Sequence, residues 1–236
     1  MNIILLNDDD FIDQSRVQLR DARFLQIKQI HGSEPGHSVK IGRVNGLMGQ
    51  AIIESLDAQQ VTLRCEFTAE PPPKLPLTIV LALPRPKMIR RIFRSIAEYG
   101  VADLHIINSY KVEKSFWQSP AISEQHIRQY LIEGLQQAKD TQLPSVHFHK
   151  RFKPFVEDQL SGISANSTPL IAHPDTDTPC PHAIDCPVTL AIGPEGGFTP
   201  YEVAKFIEQG FQAIHLGPRI LKVENALNAL CAKLYT

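Results

Sequence analysis

The chain has 236 residues, 43% of them hydrophobic and 21% charged, and a formal net charge of −1. These values exclude a disordered polymer, leave enough chain to bury a core, and exclude a protein that holds nucleic acid by bulk electrostatics alone. No apolar run approaches the roughly 20 residues of a membrane-spanning helix, and the opening run Ile3-Ile4-Leu5-Leu6 stops at Asp8, Asp9 and Asp10, so a cytoplasmic protein with four reduced cysteines and no membrane partner is expected.

In chain order, the first 70 residues carry short β-type segments at Phe24–Ile30, Ser38–Val44, Gly49–Leu56 and Val61–Phe67. Turn signals separate them at Gly32, Pro35-Gly36 and Asn45-Gly46, and the pattern predicts a small barrel or sandwich. Residues 71–76, Pro71-Pro72-Pro73-Lys74-Leu75-Pro76, cannot continue a helix or a central strand, because each proline fixes φ and lacks a donor. They mark a linker between a domain at 1–70 and a second at 77–236. Beyond it strands alternate with helices: Leu77–Leu83, a helix Lys87–Tyr99, Asp103–Ile107, and a long helix Ile122–Lys139. Next come Ser145–His149, Leu170–Ala172, Thr189–Ile192, a helix Pro200–Gln209, Ala213–Leu216 and a last helix from Val223 to Leu234. Such alternation implies a parallel α/β sheet.

Two glycine-rich segments stand at the exits of apolar strands. In Ile192-Gly193-Pro194-Glu195-Gly196-Gly197-Phe198-Thr199-Pro200-Tyr201-Glu202, the residues Thr199, Pro200 and Glu202 supply an N-cap, a first-turn proline and a capping-box carboxylate. A turn without bulky side chains lets a ligand approach the backbone, so a branched side chain at Gly196 is expected to fill that space. Neither a Walker loop nor GxGxxG is present. The second segment, Leu216-Gly217-Pro218-Arg219-Ile220-Leu221-Lys222-Val223-Glu224-Asn225-Ala226, again leads a strand into a helix. Two such loops from one sheet can wall one crevice.

Together the two segments resemble the RsmE family of ribosomal RNA uridine-N3 methyltransferases, of the SPOUT superfamily. That family pairs Ile-Gly-Pro-Glu-Gly-Gly with Leu-Gly-x-Arg-Ile/Val-Leu-Arg-x-Glu-Thr-Ala. Weaker echoes are Lys87-Met88, Ala97-Glu98-Tyr99-Gly100-Val101 and Leu170-Ile171-Ala172-His173-Pro174. The resemblance implies a trefoil-knotted parallel-sheet domain preceded by a PUA-like β-barrel that binds RNA. It also implies S-adenosylmethionine as cofactor, a homodimer, and methylation of the uridine at position 1498 of small-subunit ribosomal RNA. Pattern alone predicts a doubly wound sheet, since knots are nearly absent from proteins. A divergent relative acting on another RNA and a non-catalytic RNA-binding or ribosome-assembly factor remain alternatives.

Matched position by position, the resemblance places Leu170, Ala172, His173, Ile192, Gly193, Glu195, Gly196, Gly197, Leu216, Leu221 and Asn225 at the cofactor. Catalytic roles fall to Arg219, as stabiliser of a uracil anion or grip on a phosphate, and to Glu195 or Glu224, as proton acceptors. Each glutamate also has a plainer role, Glu195 as an acceptor of backbone N–H bonds in its loop and Glu224 as a first-turn carboxylate. Arg90, Arg91 and Arg94, in a basic stretch after the linker, are candidate RNA contacts or a solvated helix face.

Some positions depart from the family pattern. Lys222-Val223-Glu224-Asn225-Ala226 keeps the cation but replaces the hydroxyl with an amide. Asp140 stands near where the family carries an RNA-gripping arginine, and a carboxylate repels phosphate. The barrel's His-x-x-x-Val-Leu-Arg reads Arg23-Phe24-Leu25-Gln26-Ile27-Lys28-Gln29. Cys180, His182 and Cys186 lack zinc-ribbon spacing, so no metal is expected. His147 and His149, beside Lys150, Arg151 and Lys153, read as an edge strand leading into a solvated loop, with RNA-backbone contact as the sharper reading.

Overall fold

The computed structural model describes residues 2–30 and 34–235. The turn expected at Gly32 lies outside them. Two compact units result, Met1–Pro73 with Ile132–Leu143, and Lys74–Leu131 with Pro144–Thr236. A boundary drawn only at the proline-rich segment makes no allowance for 132–143, which groups with the amino-terminal unit. The expected linker 71–76 is also too long: Leu75 and Pro76 already belong to the first strand of the second unit, where Pro76 is tolerated because it falls in a pairing irregularity between Leu75 and Thr78.

That unit is built from β1 (Ile4–Leu6), β2 (Arg16–Leu19), α1 (Ala22–Ile30), β3 (Ser38–Arg43), β4 (Met48–Leu56) and β5 (Val61–Ala69). The strands form one sheet in the order β1-β3-β4-β5-β2, with β1 parallel to β3 and the other pairs antiparallel. Alternate residues turn inward: Val39 and Ile41, Ala51 and Ile53, Val61, Leu63 and Cys65 join Ile4, Leu6, Val17 and Leu19 in the core. The register of β4 against β5 shifts at Met48/Gly49, where a Cβ on Gly49 would overlap the Glu66 carbonyl.

The expected strand Phe24–Ile30 is instead the helix α1. Phe24 and Ile27 are buried while Leu25 is exposed, a spacing of three that suits one helix face and contradicts strand alternation. Asp21 Oδ1 accepts the Arg23 amide at 2.9 Å where the helix begins. The Arg23 guanidinium reaches back to both carboxylate oxygens of Asp10, at 2.6 and 2.7 Å, and to the Leu5 carbonyl at 2.8 Å. Burial alone would lower the Arg23 pKa, but the bonds to Asp10 and Asp21 outweigh it and raise it.

Within 132–143, Asp140 is buried and its Oδ1 accepts the amides of Thr141 and Gln142 at 2.6 and 2.9 Å. The expected repulsion of phosphate is therefore corrected: this carboxylate is a turn acceptor inside the unit. The Asn45 amide, in turn, donates to the Thr141 carbonyl at 2.8 Å.

The second unit holds β6 (Leu75–Ala82), α2 (Pro86–Glu98), β7 (Val101–Ile107), the first half of α3 (Glu124–Ala138), β8 (Ser145–His149), α4 (Phe152–Asp158) and α5 (Leu160–Ser164). It continues with β9 (Thr168–Ala172), β10 (Val188–Ile192), α6 (Pro200–Glu208), β11 (Gln212–Ile214) and α7 (Val223–Tyr235). All strand pairs are parallel, in the order β11-β9-β10-β6-β7-β8. The later strand β10 inserts between β9 and β6, and all five of its residues are buried, as expected for a central strand covered on both faces. On α2, Ile89, Ile92, Phe93, Ile96 and Ala97 recur at helical spacing and are buried.

Candidate active site

Strands β9, β10 and β11 end at one edge, and the loops leaving them enclose a crevice of about 420 Å³. This lies within the range of about 300–1,000 Å³ usual for small-molecule sites. The β10 exit supplies Ile192, Gly193, Glu195, Gly196 and Gly197; Ala172 and His173 come from β9, and Leu216, Arg219 and Leu221 from the loop after β11. The structure thus brings together ten of the residues singled out from sequence. Leu170, Glu224 and Asn225 lie outside the lining: Leu170 is buried within β9, Glu224 stands in the first turn of α7, and Asn225 is exposed.

Backbone shapes the central turn. The Gly197 amide donates to the Pro194 carbonyl at 2.8 Å, and Gly197 takes φ +69°, a left-handed conformation that glycine adopts without strain. Gly193 is small for another reason, since a Cβ there would stand 3.0 Å from the Phe198 amide nitrogen. At Gly196 a Cβ would meet the Lys111 side chain at 2.8 Å. The space expected to be open to a ligand at Gly196 is therefore taken by Lys111, whose Nζ donates to the Gly196 carbonyl at 2.6 Å.

Glu195 is exposed, and its Oε1 accepts the Arg85 amide at 2.9 Å. That bond matches the plainer of its two roles and fixes the loop to the start of α2. The capping box forms as expected: Thr199 Oγ1 accepts the Glu202 amide, and Glu202 Oε2 accepts the Thr199 amide at 2.8 Å. Unforeseen from the local pattern, the other oxygen of buried Glu202 accepts the Tyr110 amide at 2.8 Å, 92 residues away.

His215, not among the residues expected at the site, also lines the crevice, and its Nδ1 accepts the Gly217 amide at 2.9 Å. Its only sequence signal is its place in the run Ala213–Leu216 before a glycine. Gly217 takes φ +107°. Arg219 is exposed at the rim, beside Ile220 at 87% exposure.

The basic helix divides. Arg90 and Arg91 on α2 are exposed, whereas the Arg94 guanidinium lies 5.0 Å above the Tyr130 ring, a cation–π contact with α3. Cys180 is buried and its amide donates to the His215 carbonyl at 2.8 Å; Cys186 Sγ lies 3.3 Å from Thr168 Oγ1. Among the described residues no group of three His, Cys, Asp or Glu side chains is placed to hold a metal.

Residues 71–235 match the model of an RNA methyltransferase domain. Ribosomal RNA small subunit methyltransferase E of Treponema pallidum is 30% identical over 98% of this chain and 90% of its own length. The chain belongs to this methyltransferase family. A member from Borreliella burgdorferi, ribosomal RNA small subunit methyltransferase E 1, is 22% identical over 96% of this chain and 94% of its own length. The crystal structure of ribosomal RNA small subunit methyltransferase E from Neisseria gonorrhoeae, bound to S-adenosyl methionine, superposes with a TM-score of 0.75 at 19% identity. It covers 98% of this chain and 95% of its own, and so shows that the family fold extends through both units.

Proposed function

We propose that the chain transfers a methyl group from S-adenosylmethionine to N3 of a uridine in small-subunit ribosomal RNA, by family the uridine at position 1498. The observation that carries this reading is the crevice formed by the two glycine turns of a family methyltransferase. The cofactor fits it, because the close packing of Gly193 on the Phe198 amide and the left-handed Gly197 and Gly217 leave backbone rather than side chains facing the cavity, with Ile192, Leu216 and Leu221 as apolar walls. Bound there, S-adenosylmethionine supplies an electrophilic methyl group carried on a sulfonium.

Uridine N3 still bears a proton and becomes nucleophilic only as that proton passes to solvent water at the open crevice; N3 then bonds the methyl carbon as the carbon–sulfur bond breaks, leaving a neutral thioether. Arg219, at the rim, stabilises the uracil anion that results, where a fixed positive charge acts most strongly on the transition state. Glu195 holds the central turn through the Arg85 amide, and Glu224 steadies the first turn of α7 through the helix dipole.

The finer architecture follows the same reading. The place of β10 between β9 and β6 supports a SPOUT trefoil knot in the second unit, and the five-stranded sheet with α1 supports a PUA-like RNA-binding domain in the first, its boundaries moved from the expected 1–70 to Met1–Pro73 with Ile132–Leu143. Exposed Ile220 beside the crevice supports a homodimer whose partner covers the rim. A ribosomal substrate supports a cytoplasmic location. Mass mapping of ribosomal RNA from cells lacking the gene tests the assignment: loss of the single methyl at position 1498 is expected, and loss of a different mark, or an unchanged map, overturns it.

A further inference from the structure

A second cavity, of about 500 Å³, lies in the second unit and is lined by Tyr110, Phe152 and Tyr201 together with Asn108, Ser109 and Glu202. It adjoins the crevice through consecutive residues. Phe198 lines the crevice and Thr199 the second cavity; Tyr110 lines the second cavity, and Lys111 bonds the Gly196 carbonyl. The rings of Phe152 and Phe198 both pack on Phe206, at 5.8 and 5.1 Å between centroids.

Its polar groups are unequally satisfied. Glu202 receives the amides of Tyr110 and Thr199 and the Thr199 hydroxyl, and Asn108 Oδ1 receives the Trp117 indole N–H at 2.9 Å. Ser109 is 2% exposed, and among the described residues its Oγ has no hydrogen-bond partner. Burying a hydroxyl without a partner is unfavourable, and a ligand that bonds it recovers that cost. The aromatic groups are conversely open: Tyr110 is 86% exposed, and Tyr201 is 54% exposed, with Lys205 Nζ 5.9 Å from its ring centroid over one face and the other left for stacking. Cations flank them, since Lys153 also lines the cavity and exposed Lys150 and Arg151 precede Phe152.

Open aromatic faces beside a run of cations are how proteins hold single-stranded nucleic acid: bases stack on the rings and phosphates meet the charges. We infer that this cavity binds an unstacked base of a single-stranded RNA segment, the base stacking on Tyr110 and Tyr201 and gaining a bond from Ser109 as its buried side chain turns toward the cavity. Its phosphates lie toward Lys150, Arg151 and Lys153. The subsite rests on the methyltransferase reading, which supplies RNA as the ligand class, and it extends that reading from the reacting uridine to a second contact on the strand.

Fluorescence anisotropy of the full chain with labelled hexauridylate, and with a ribose-phosphate hexamer of equal charge lacking bases, tests it. The protein should prefer hexauridylate. Tyr110→Ala and Tyr201→Ala should each weaken hexauridylate binding about tenfold and leave the abasic hexamer unaffected. Tyr→Phe at either position should restore binding, and Ser109→Ala should cost about threefold. Unchanged S-adenosylmethionine affinity in each variant marks the fold as intact. Equal wild-type affinity for the two hexamers, no loss in the alanine variants, or the same loss on both hexamers overturns the subsite. Methyl transfer by the wild type to small ribosomal subunits is scored separately: transfer without base preference overturns the subsite alone, and base preference without transfer overturns only the enzymatic reading.

Discussion

Gly193 and Gly196 sit three residues apart in one turn, yet their substitutions should behave differently. Valine at Gly193 drives its Cβ toward the Phe198 amide at 3.0 Å and the Phe198 ring at 3.2 Å, both held by α6, so the turn itself must open. Calorimetry should find S-adenosylmethionine affinity lowered at least about tenfold in Gly193→Val, and undiminished affinity would place the cofactor elsewhere. Gly196→Val meets only the movable Lys111 side chain and should cost less. Arg219 lines the same crevice but has a different task. If it stabilises charge that develops during transfer, Arg219→Ala should lower turnover about 100-fold with little change in cofactor affinity; a matched fall in affinity would make it a binding residue. The turns themselves were legible from sequence, because glycine content, strand exit and capping box are all local. The partners of their side chains were not, since Glu195 meets Arg85 and Glu202 meets Tyr110 across more than 90 residues of chain.

Between β7 and the edge strand β8, the parallel register sets His105 opposite His147. Their rings stack at 4.7 Å, and His105 Nδ1 lies 3.0 Å from His149 Nε2, with the Phe155 ring 4.3 Å from that of His149. Burial, followed by the neighbouring imidazoles of His147 and His149, pushes the His105 pKa down to about 4, from an ordinary value near 6.5. Between those two values the unfolded chain binds a proton that the folded chain refuses. Stability should therefore fall as pH drops from about 6.5 to 4, by up to about 3 kcal/mol, and change no further on this account below that. Urea denaturation at pH 7 and pH 5 should show the loss in the wild type and a flatter dependence in His105→Gln. An unaltered dependence would assign the effect to other groups. The alternation of His147 and His149 was readable in the sequence, and the edge position of β8 matches it, but His105 lies one strand away and has no local sign. Helices α4 and α5 were missed for a related reason: at seven and five residues they are too short to establish a period.

Over the molecule as a whole, a net charge of −1 leads to the expectation of only a few phosphate contacts with RNA. With Arg94 held over Tyr130, Arg90 and Arg91 face solvent on α2, as do Arg85 and Lys87 at its start. Arg90→Ala with Arg91→Ala should weaken RNA binding and reduce the slope of log affinity against log salt by about one for each phosphate that an arginine no longer neutralises, leaving cofactor affinity unchanged. An affinity equal to wild type across the salt series would make these arginines a solvated face.

Taken by itself, the sequence determined the features that reside in contiguous residues: the β-rich opening stretch, the strand–helix alternation that makes the second sheet parallel, and the two glycine turns with their helix starts. Propensity, capping and proline geometry act over a few residues, so a short window contains their whole cause. The strand order, by contrast, follows from long-range packing: β10 enters between β9 and β6 and so brings Ala172, Gly193 and Leu216 to one crevice. Tertiary packing likewise made α1 a helix, because Phe24 and Ile27 bury a common face, and it turned Asp140 from an expected surface charge into a buried turn acceptor. Those outcomes depend on which distant surfaces exclude water together, and burial of that kind is a property of the packed chain, outside any local window of residues.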